Sequence, residues 1–152
     1  MLTGAVRRID HVAVVVRSLD TTLAFYRDVL GLRPARTLDF PREGVKIAFI
    51  PLGGPGGSEI ELLEVIDPAS GIARFLEKRG EGLHHICLEV PDIERALAEL
   101  QAAGVAMLDA TPRPTAEGRG VFIHPKAASG VLLELVQRET STTDEAIEEE
   151  AQ

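Results

Sequence analysis

The chain states one pattern twice. Ile9-Asp10-His11-Val12 and Leu83-His84-His85-Ile86 stand 74 residues apart (85 − 11), and each opens an apolar run, Val12 to Val16 and Ile86 to Val90. Both runs are rich in β-branched residues, the composition of a buried strand. A helical pattern follows each. Ser18 is placed to cap the first, with Leu19, Leu23, Tyr26 and Leu30 on one face and Gly31 as the stop. Asp92 is placed to cap the second, with Ile93, Leu97 and Leu100 as the stripe and Gly104 as the stop. These are the ordinary start and stop signals of a helix.

Three strand-like segments come after each helix. In the first half they are Leu32 to Phe40, Val45 to Pro51 and Glu59 to Ile66; in the second, Val105 to Ala110, Gly120 to His124 and Val131 to Val136. Between the halves, Asp67 to Arg79 reads as an extra helix through Ile72, Phe75 and Leu76. The organisation is therefore βαβββ, a linking helix, and βαβββ again. A unit of this kind has an unpaired edge and one apolar face, and it buries both by standing beside a copy of itself. The expected fold class is α+β: two tandem modules forming a curved mixed sheet around one metal site. One domain spans residues 1–138, with modules at 7–66 and 81–138 and the linking helix at 67–80. An acidic tail at 139–152 is expected to be frayed or disordered, because its charges are all of one sign.

The chemistry follows from the same repeat. Period-two geometry puts Glu59, Glu61 and Leu63 on one strand face, and Glu134 sits mid-strand in Val131-Leu132-Leu133-Glu134-Leu135. A carboxylate among such neighbours is costly unless it is paired or holds a metal. Glu61 follows His11 by 50 residues (61 − 11), and Glu134 follows His85 by 49 (134 − 85). Each half thus offers one imidazole and one carboxylate, and His11, Glu61, His85 and Glu134 together suit one divalent cation with positions open for substrate. His84 aligns with Asp10 and by strand alternation should face away, so His85 is the expected ligand of the pair.

The bulk properties narrow the partners. A formal net charge of −8 argues against a nucleic-acid surface. No apolar run approaches the roughly 18 residues that span a bilayer, and with no leader-like apolar stretch near Met1 a cytoplasmic location is the expectation. The single cysteine, Cys87, excludes an internal disulfide and a thiolate cluster; in Ile86-Cys87-Leu88 it reads as a small buried residue.

The stretches Ile9 to Gly31, Glu59 to Leu76, Gly80 to Gly104 and His124 to Gln137 carry a family resemblance. Most telling are the IARFL of the linking helix, the LHHI strand and HPK followed by GVLLEL. The chain resembles the methylmalonyl-CoA epimerase family of the vicinal-oxygen-chelate superfamily, whose glyoxalase-type fold pairs two βαβββ modules. The resemblance implies a divalent metal (cobalt first, with zinc, manganese or nickel as others), a homodimer, and an acyl-CoA substrate. It also implies inversion at the α-carbon of a methylmalonyl thioester through a metal-stabilised enediolate. His11, Glu61, His85 and Glu134 fall on the family's ligand positions. Glu134 is the expected base and Glu61 its expected partner, since a glutamate carried by some members on the middle strand of the first half is replaced here by Ile47. Lys126, Arg113 and Arg119 are expected to meet the CoA phosphates. Two other readings stand beside this one: a glyoxalase I-type lactoylglutathione lyase, and a non-catalytic small-molecule-binding protein of the same fold.

Overall fold

The computed structural model describes residue 2 and residues 5–139; all of the acidic tail except Glu139 lies outside the described residues. The chain runs β1 (Arg8–Val16), α1 (Leu19–Asp28), β2 (Arg36–Phe40), β3 (Val45–Pro51), β4 (Glu59–Val65), α2 (Gly71–Arg79), β5 (Gly82–Glu89), α3 (Ile93–Ala102), β6 (Arg113–Pro114), β7 (Gly118–Ile123) and β8 (Leu133–Arg138). All eight strands form one curled mixed sheet in the order β2-β3-β4-β1-β5-β8-β7-β6. The order reads the same from either edge once the modules are exchanged. β1 runs parallel to β4, β5 runs parallel to β8, and the antiparallel β1–β5 pair joins the halves.

Alternation along the strands sorts the side chains. On one sheet face Val14, Val16, Ala48, Ile50, Ile60 and Leu62 pack under α1, and Leu88, Val121, Ile123, Leu133 and Leu135 pack under α3. On the other face Ala13, Val15, Ile47, Phe49 and Leu63 pack against Ile72, Phe75 and Leu76 of α2. This second face is the concave one. Every odd-numbered position on β1 from His11 to Val15 is therefore aimed at it.

The helix caps follow the sequence. The side chains of Ser18 and Asp92 accept from the backbone N–H groups of Thr21 and Arg95, and Gly31 and Gly104 follow their helices with positive φ. The linking helix is shorter than expected and begins at Gly71, capped by Ser70. Two strand expectations need correction. Leu32 to Ala35 precedes the strand, which starts at Arg36, because Pro34 has no N–H to give a ladder. Val105 to Ala110 is not a strand of its own. It makes one bridge, Met107 to Ile123, after which the Asp109 carboxylate takes the Phe122 N–H in place of a backbone carbonyl. The edge position passes to the two-residue β6, which ends on Pro114.

Candidate metal centre

The two histidines meet because of the β1–β5 register. His11 lies opposite Cys87 and Ala13 lies opposite His85, so the histidines are diagonal neighbours on the concave face. Flanking strands add the carboxylates with matched offsets: Ala13 pairs with Glu61 on β4, and Cys87 pairs with Glu134 on β8. His11, His85, Glu61 and Glu134 are all buried. His11 Nε2 is 3.2 Å from His85 Nε2, Glu134 Oε2 is 2.9 Å from His85 Nε2, and Glu134 Oε2 is 3.3 Å from His11 Nε2. Neighbouring ligands held about 2.1 Å from one ion sit about 3 Å apart, so this triangle has the dimensions of a cation's donor set.

Glu61 stands elsewhere around the same ring. Its Oε2 is 2.8 Å from His11 Nδ1, on the far side from the triangle. There it meets two further acids, Asp10 and Glu117. The proton on Nδ1 is directed to Asp10 Oδ1, 2.7 Å away, since an ionised carboxylate can only accept. Glu61 Oε2 and Glu117 Oε1 are left buried without a hydrogen-bond partner. Unpaired buried carboxylate oxygens are expensive and call for a positive charge. The donor types, their spacing and these orphaned oxygens together fit a divalent cation.

Electrostatics point the same way. Burial alone would lower the His11 imidazole, but the hydrogen bond to Asp10 and the close approach of Cys87, Glu134 and Glu61 outweigh it and push the ring far up. The acids around it hold a positive charge in place, and a metal on Nε2 would serve as that charge while Nδ1 keeps its proton. Burial would raise Glu134, yet its bonds to His11 and His85 bring it down to about 2. Burial, and then the bond and charge of Glu61, drive Glu117 up to about 10. For Asp10 burial is again overcome, by bonds from His11 and Arg138, and the carboxyl is lowered. Cys87 is fully buried and its thiol is pushed up by burial, in keeping with a packed core residue.

Asp10 and His84 both depart from the alternation expected of them. The β1–β5 register shifts between Ile9 and His11, an irregularity that turns Asp10 inward beside its neighbour. There it accepts from His11 and from Arg138 Nε and Nη2, the last at 3.0 Å. His84 does not face away: its Nδ1 is 2.8 Å from His85 Nδ1, and its ring edges Phe75 of α2. Burial and the neighbouring His85 lower His84 to about 4, so it is neutral at pH 7 and could accept a proton from His85 Nδ1 once a metal occupies His85 Nε2.

The cleft around the triangle is lined by Phe40, Glu43, Ile47, Ile72, Thr115, Glu117 and Phe122 among others. Ile47 takes the concave position expected for it, and no titratable group replaces it on β3. Glu117 was not anticipated. It comes from the tight β6–β7 hairpin, where Thr115 Oγ1 accepts from the N–H of Glu117 and of Gly118 and aims the carboxyl inward. Gly118 is required there, since a Cβ would meet Gln137 O at 2.2 Å. Only the Gly-flanked turn hinted at it.

Of the three cations expected near phosphate, Arg113 is at the cleft rim but committed. It pairs with Glu43 at 3.2 Å and Asp109 at 3.4 Å and lies over the Phe122 ring. Arg119 is a correction. Alternation on β7 turns it to the α3 face, where it pairs with Glu94 at 2.9 Å, away from the cleft. Lys126 is exposed on a short 3-10 turn, Pro125–Ala127, outside the cleft lining.

Residues 10–122 match the Glyoxalase/Bleomycin resistance protein/Dioxygenase superfamily. The mitochondrial methylmalonyl-CoA epimerase of Mus musculus is 39% identical over 86% of this chain and 72% of its own length. The ethylmalonyl-CoA/methylmalonyl-CoA epimerase of Cereibacter sphaeroides is 42% identical over 86% of this chain and 97% of its own length. A methylmalonyl-CoA epimerase of Streptomyces coelicolor, solved in complex with 2-nitronate-propionyl-CoA, superposes with a TM-score of 0.84 at 34% identity, covering 90% of this chain and all of that one. Likeness to a lactoylglutathione lyase of Arabidopsis thaliana is weaker, 28% identity with 44% of that protein covered.

Proposed function

Since the chain belongs to the methylmalonyl-CoA epimerases of the glyoxalase/bleomycin resistance protein/dioxygenase superfamily, we propose that it interconverts (2R)- and (2S)-methylmalonyl-CoA at the centre built on His11, His85 and Glu134. The observation that carries the reading is the triangle of donors, 2.9–3.3 Å on a side, contributed by both modules and buried in one cleft. His11, His85 and Glu134 would hold a divalent ion, cobalt first; Glu61, the proposed fourth ligand, stands at the Nδ1 side of His11 and would have to turn to another rotamer to reach it. When bound, such an ion supplies Lewis-acid stabilisation of the negative charge that develops on the thioester oxygen as the α-proton leaves.

The rest of the work falls to the chain. The reaction takes a proton from one face of the α-carbon and returns one to the other, so it needs two proton-carrying groups on separate sides. Glu134, ionised at neutral pH, is assigned the first. Glu61 is assigned the second: it sits at the Nδ1 side of His11 while Glu134 sits at the Nε2 side, and this separation supports the pairing. Ile47, Ile72, Leu63 and Phe122 keep the cleft wall apolar, which raises the strength of every charge inside it. Asp10 and His84 fix the two imidazole rings from behind. The reading extends to a cytoplasmic homodimer, checked by sedimentation and cell fractionation.

The test is an assay of cobalt-loaded protein with each diastereomer of methylmalonyl-CoA in deuterated water. Epimerisation with one deuterium gained at the α-carbon is expected. Turnover of a glutathione hemithioacetal in its place would move the protein to the lyase reading, and binding without α-exchange would leave a sequestering protein.

A further inference from the structure

Asp10 has no exposed surface, and the single N–H it takes from His11 cannot satisfy both oxygens of a buried carboxylate. Arg138, the last residue of β8, meets the remainder. Its Nε donates to Asp10 Oδ2 and its Nη2 donates to Oδ1 at 3.0 Å, so one planar fork closes on both oxygens. Oδ1 is also the atom that takes the His11 Nδ1 proton, at 2.7 Å. A second arginine stands close, with Arg8 Nη2 3.5 Å from Oδ2, but it is committed elsewhere. Its Nε donates to Glu89 at 2.6 Å and its Nη1 to the Gly57 carbonyl at 2.7 Å.

The contact joins residues 128 apart in sequence and belonging to different modules. In the sheet β5 lies between β1 and β8, and it ends at Glu89, where its ladder with β8 reaches Val136. β8 runs on to Arg138, so the guanidinium crosses the end of β5 to the start of β1. Alternation puts Arg138 on the face of Glu134, four residues earlier on β8 (138 − 134). One strand of module two thus flanks His11 twice. Glu134 Oε2 stands 3.3 Å from Nε2, and Arg138 stands behind Nδ1 through Asp10. Ordinary surface pairing does not explain this arrangement. Arg27–Asp28, Arg95–Glu99 and Arg119–Glu94 lie largely in solvent and orient nothing beyond themselves. The terminal torsion of an aspartate is broad, so one bond to Nδ1 would not fix Asp10; a two-pronged guanidinium does.

We infer that Arg138 is a positioning residue for the metal centre: it locks the Asp10 carboxylate, and through it the His11 ring, in the orientation that presents Nε2 to a divalent ion. The inference rests on the metal-binding reading and deepens it, because it names a group of module two that sets how firmly module one's histidine binds. Without the fork, the Asp10 carboxylate turns away from Nδ1 and the ring loses its partner. Nε2 is then offered over a range of angles, and the ion is held less well. Charge alone gives the opposite sign. Taking a positive group away from a cation site would by itself tighten metal binding, so the direction of the change separates positioning from plain electrostatics.

The experiment is a chelator competition for cobalt on the full chain, with the unaltered protein, Arg138→Gln, Asp10→Asn and the double variant. Arg138→Gln should weaken cobalt binding about tenfold, the lower end of the loss when a group behind a ligand is removed. In the Asp10→Asn background the same substitution should change the affinity by less than about twofold, since its route to His11 is gone. In the metal-free protein the His11 Nδ1–H resonance, assigned by nitrogen-15 labelling of histidine, should move upfield in Arg138→Gln. A loss of stability elsewhere would not produce that shift. Cobalt affinity that is unchanged or tighter in Arg138→Gln overturns the inference, as does an equal loss in the Asp10→Asn background. Far-UV circular dichroism verifies folding. Should Arg138→Gln not fold, Arg138→Lys, which keeps the charge and loses the fork, is judged by the same outcomes. If the unaltered protein binds no cobalt, the metal reading fails and takes the inference with it.

Discussion

The two modules supply equivalent histidines but orient them by different means. Behind His11 stands a carboxylate, Asp10, buried and held in turn by Arg138; behind His85 stands a neutral imidazole, His84, edged by Phe75. A carboxylate on Nδ1–H makes the far nitrogen a stronger donor, while an imidazole fixes the ring with less effect on its basicity. The glutamates differ too. Glu134 closes on both Nε2 atoms, whereas Glu61 stays at Nδ1 among other acids. Duplication thus delivers matched backbone positions, and the side chains beside them decide which half grips and which half adjusts.

The sharpest way to break this comparison is at the glutamates. Glu134→Gln should lower the rate of α-proton exchange by about 10²- to 10⁴-fold, the range for removing a proton-transfer group. Glu61→Gln should cost less, about tenfold to a hundredfold on the same scale. Equal losses, read by mass spectrometry of recovered thioester, would make the halves catalytically alike. The orienting residues come next. Asp10→Asn should weaken cobalt binding about 10- to 100-fold in a chelator competition, as loss of a group behind a ligand does. His84→Phe should weaken it less, by no more than about tenfold. A larger effect at His84 would reverse the assignment of the two halves.

The smallest effects lie at one pair of related positions. Phe49 faces Glu61 and Phe122 faces Glu134, so Ile47 on β3 corresponds to Gly120 on β7. Module one carries a side chain at this place and module two has no room for one, because a Cβ on Gly120 would lie 2.9 Å from Thr115 Cγ2, 3.0 Å from Leu135 O and 3.1 Å from Glu134 Oε1. Gly120→Ala should destabilise by about 1–3 kcal/mol through overpacking. Ile47→Val should destabilise by about 0.5–1.5 kcal/mol through lost packing. Urea unfolding measures both, and a stabilising Gly120→Ala would show that the site yields more than its spacing suggests.

Much of this was legible in the residues. The repeat fixed the module order, the helix caps and the strands that bring His11, His85 and Glu134 to one face. Local irregularity was not legible. Asp10 and His84 are adjacent to the histidines and by strict alternation belong on the opposite face; only the register shift in β1–β5, a property of two strands together, brings Asp10 in. Glu117 depends on a hairpin whose aim is set by Thr115 and by the lack of a side chain at Gly118. Arg119 was misplaced because the expected strand began at Gly120, whereas β7 begins at Gly118 and imposes its alternation on Arg119. The separation of Glu61 from the triangle is a matter of side-chain angle, which spacing along a strand does not specify.

Among the described residues the antiparallel β1–β5 pair is the sole ladder joining one half of the sheet to the other. His11 and His85 lie on opposite sides of that seam. An ion held by both would act as a rivet across it, and its binding free energy would become resistance to pulling the halves apart. Hydrogen exchange at the β1 and β5 amides should therefore slow on cobalt loading far more than exchange in the outer strands, turning two adjoining units into one that opens only as a whole.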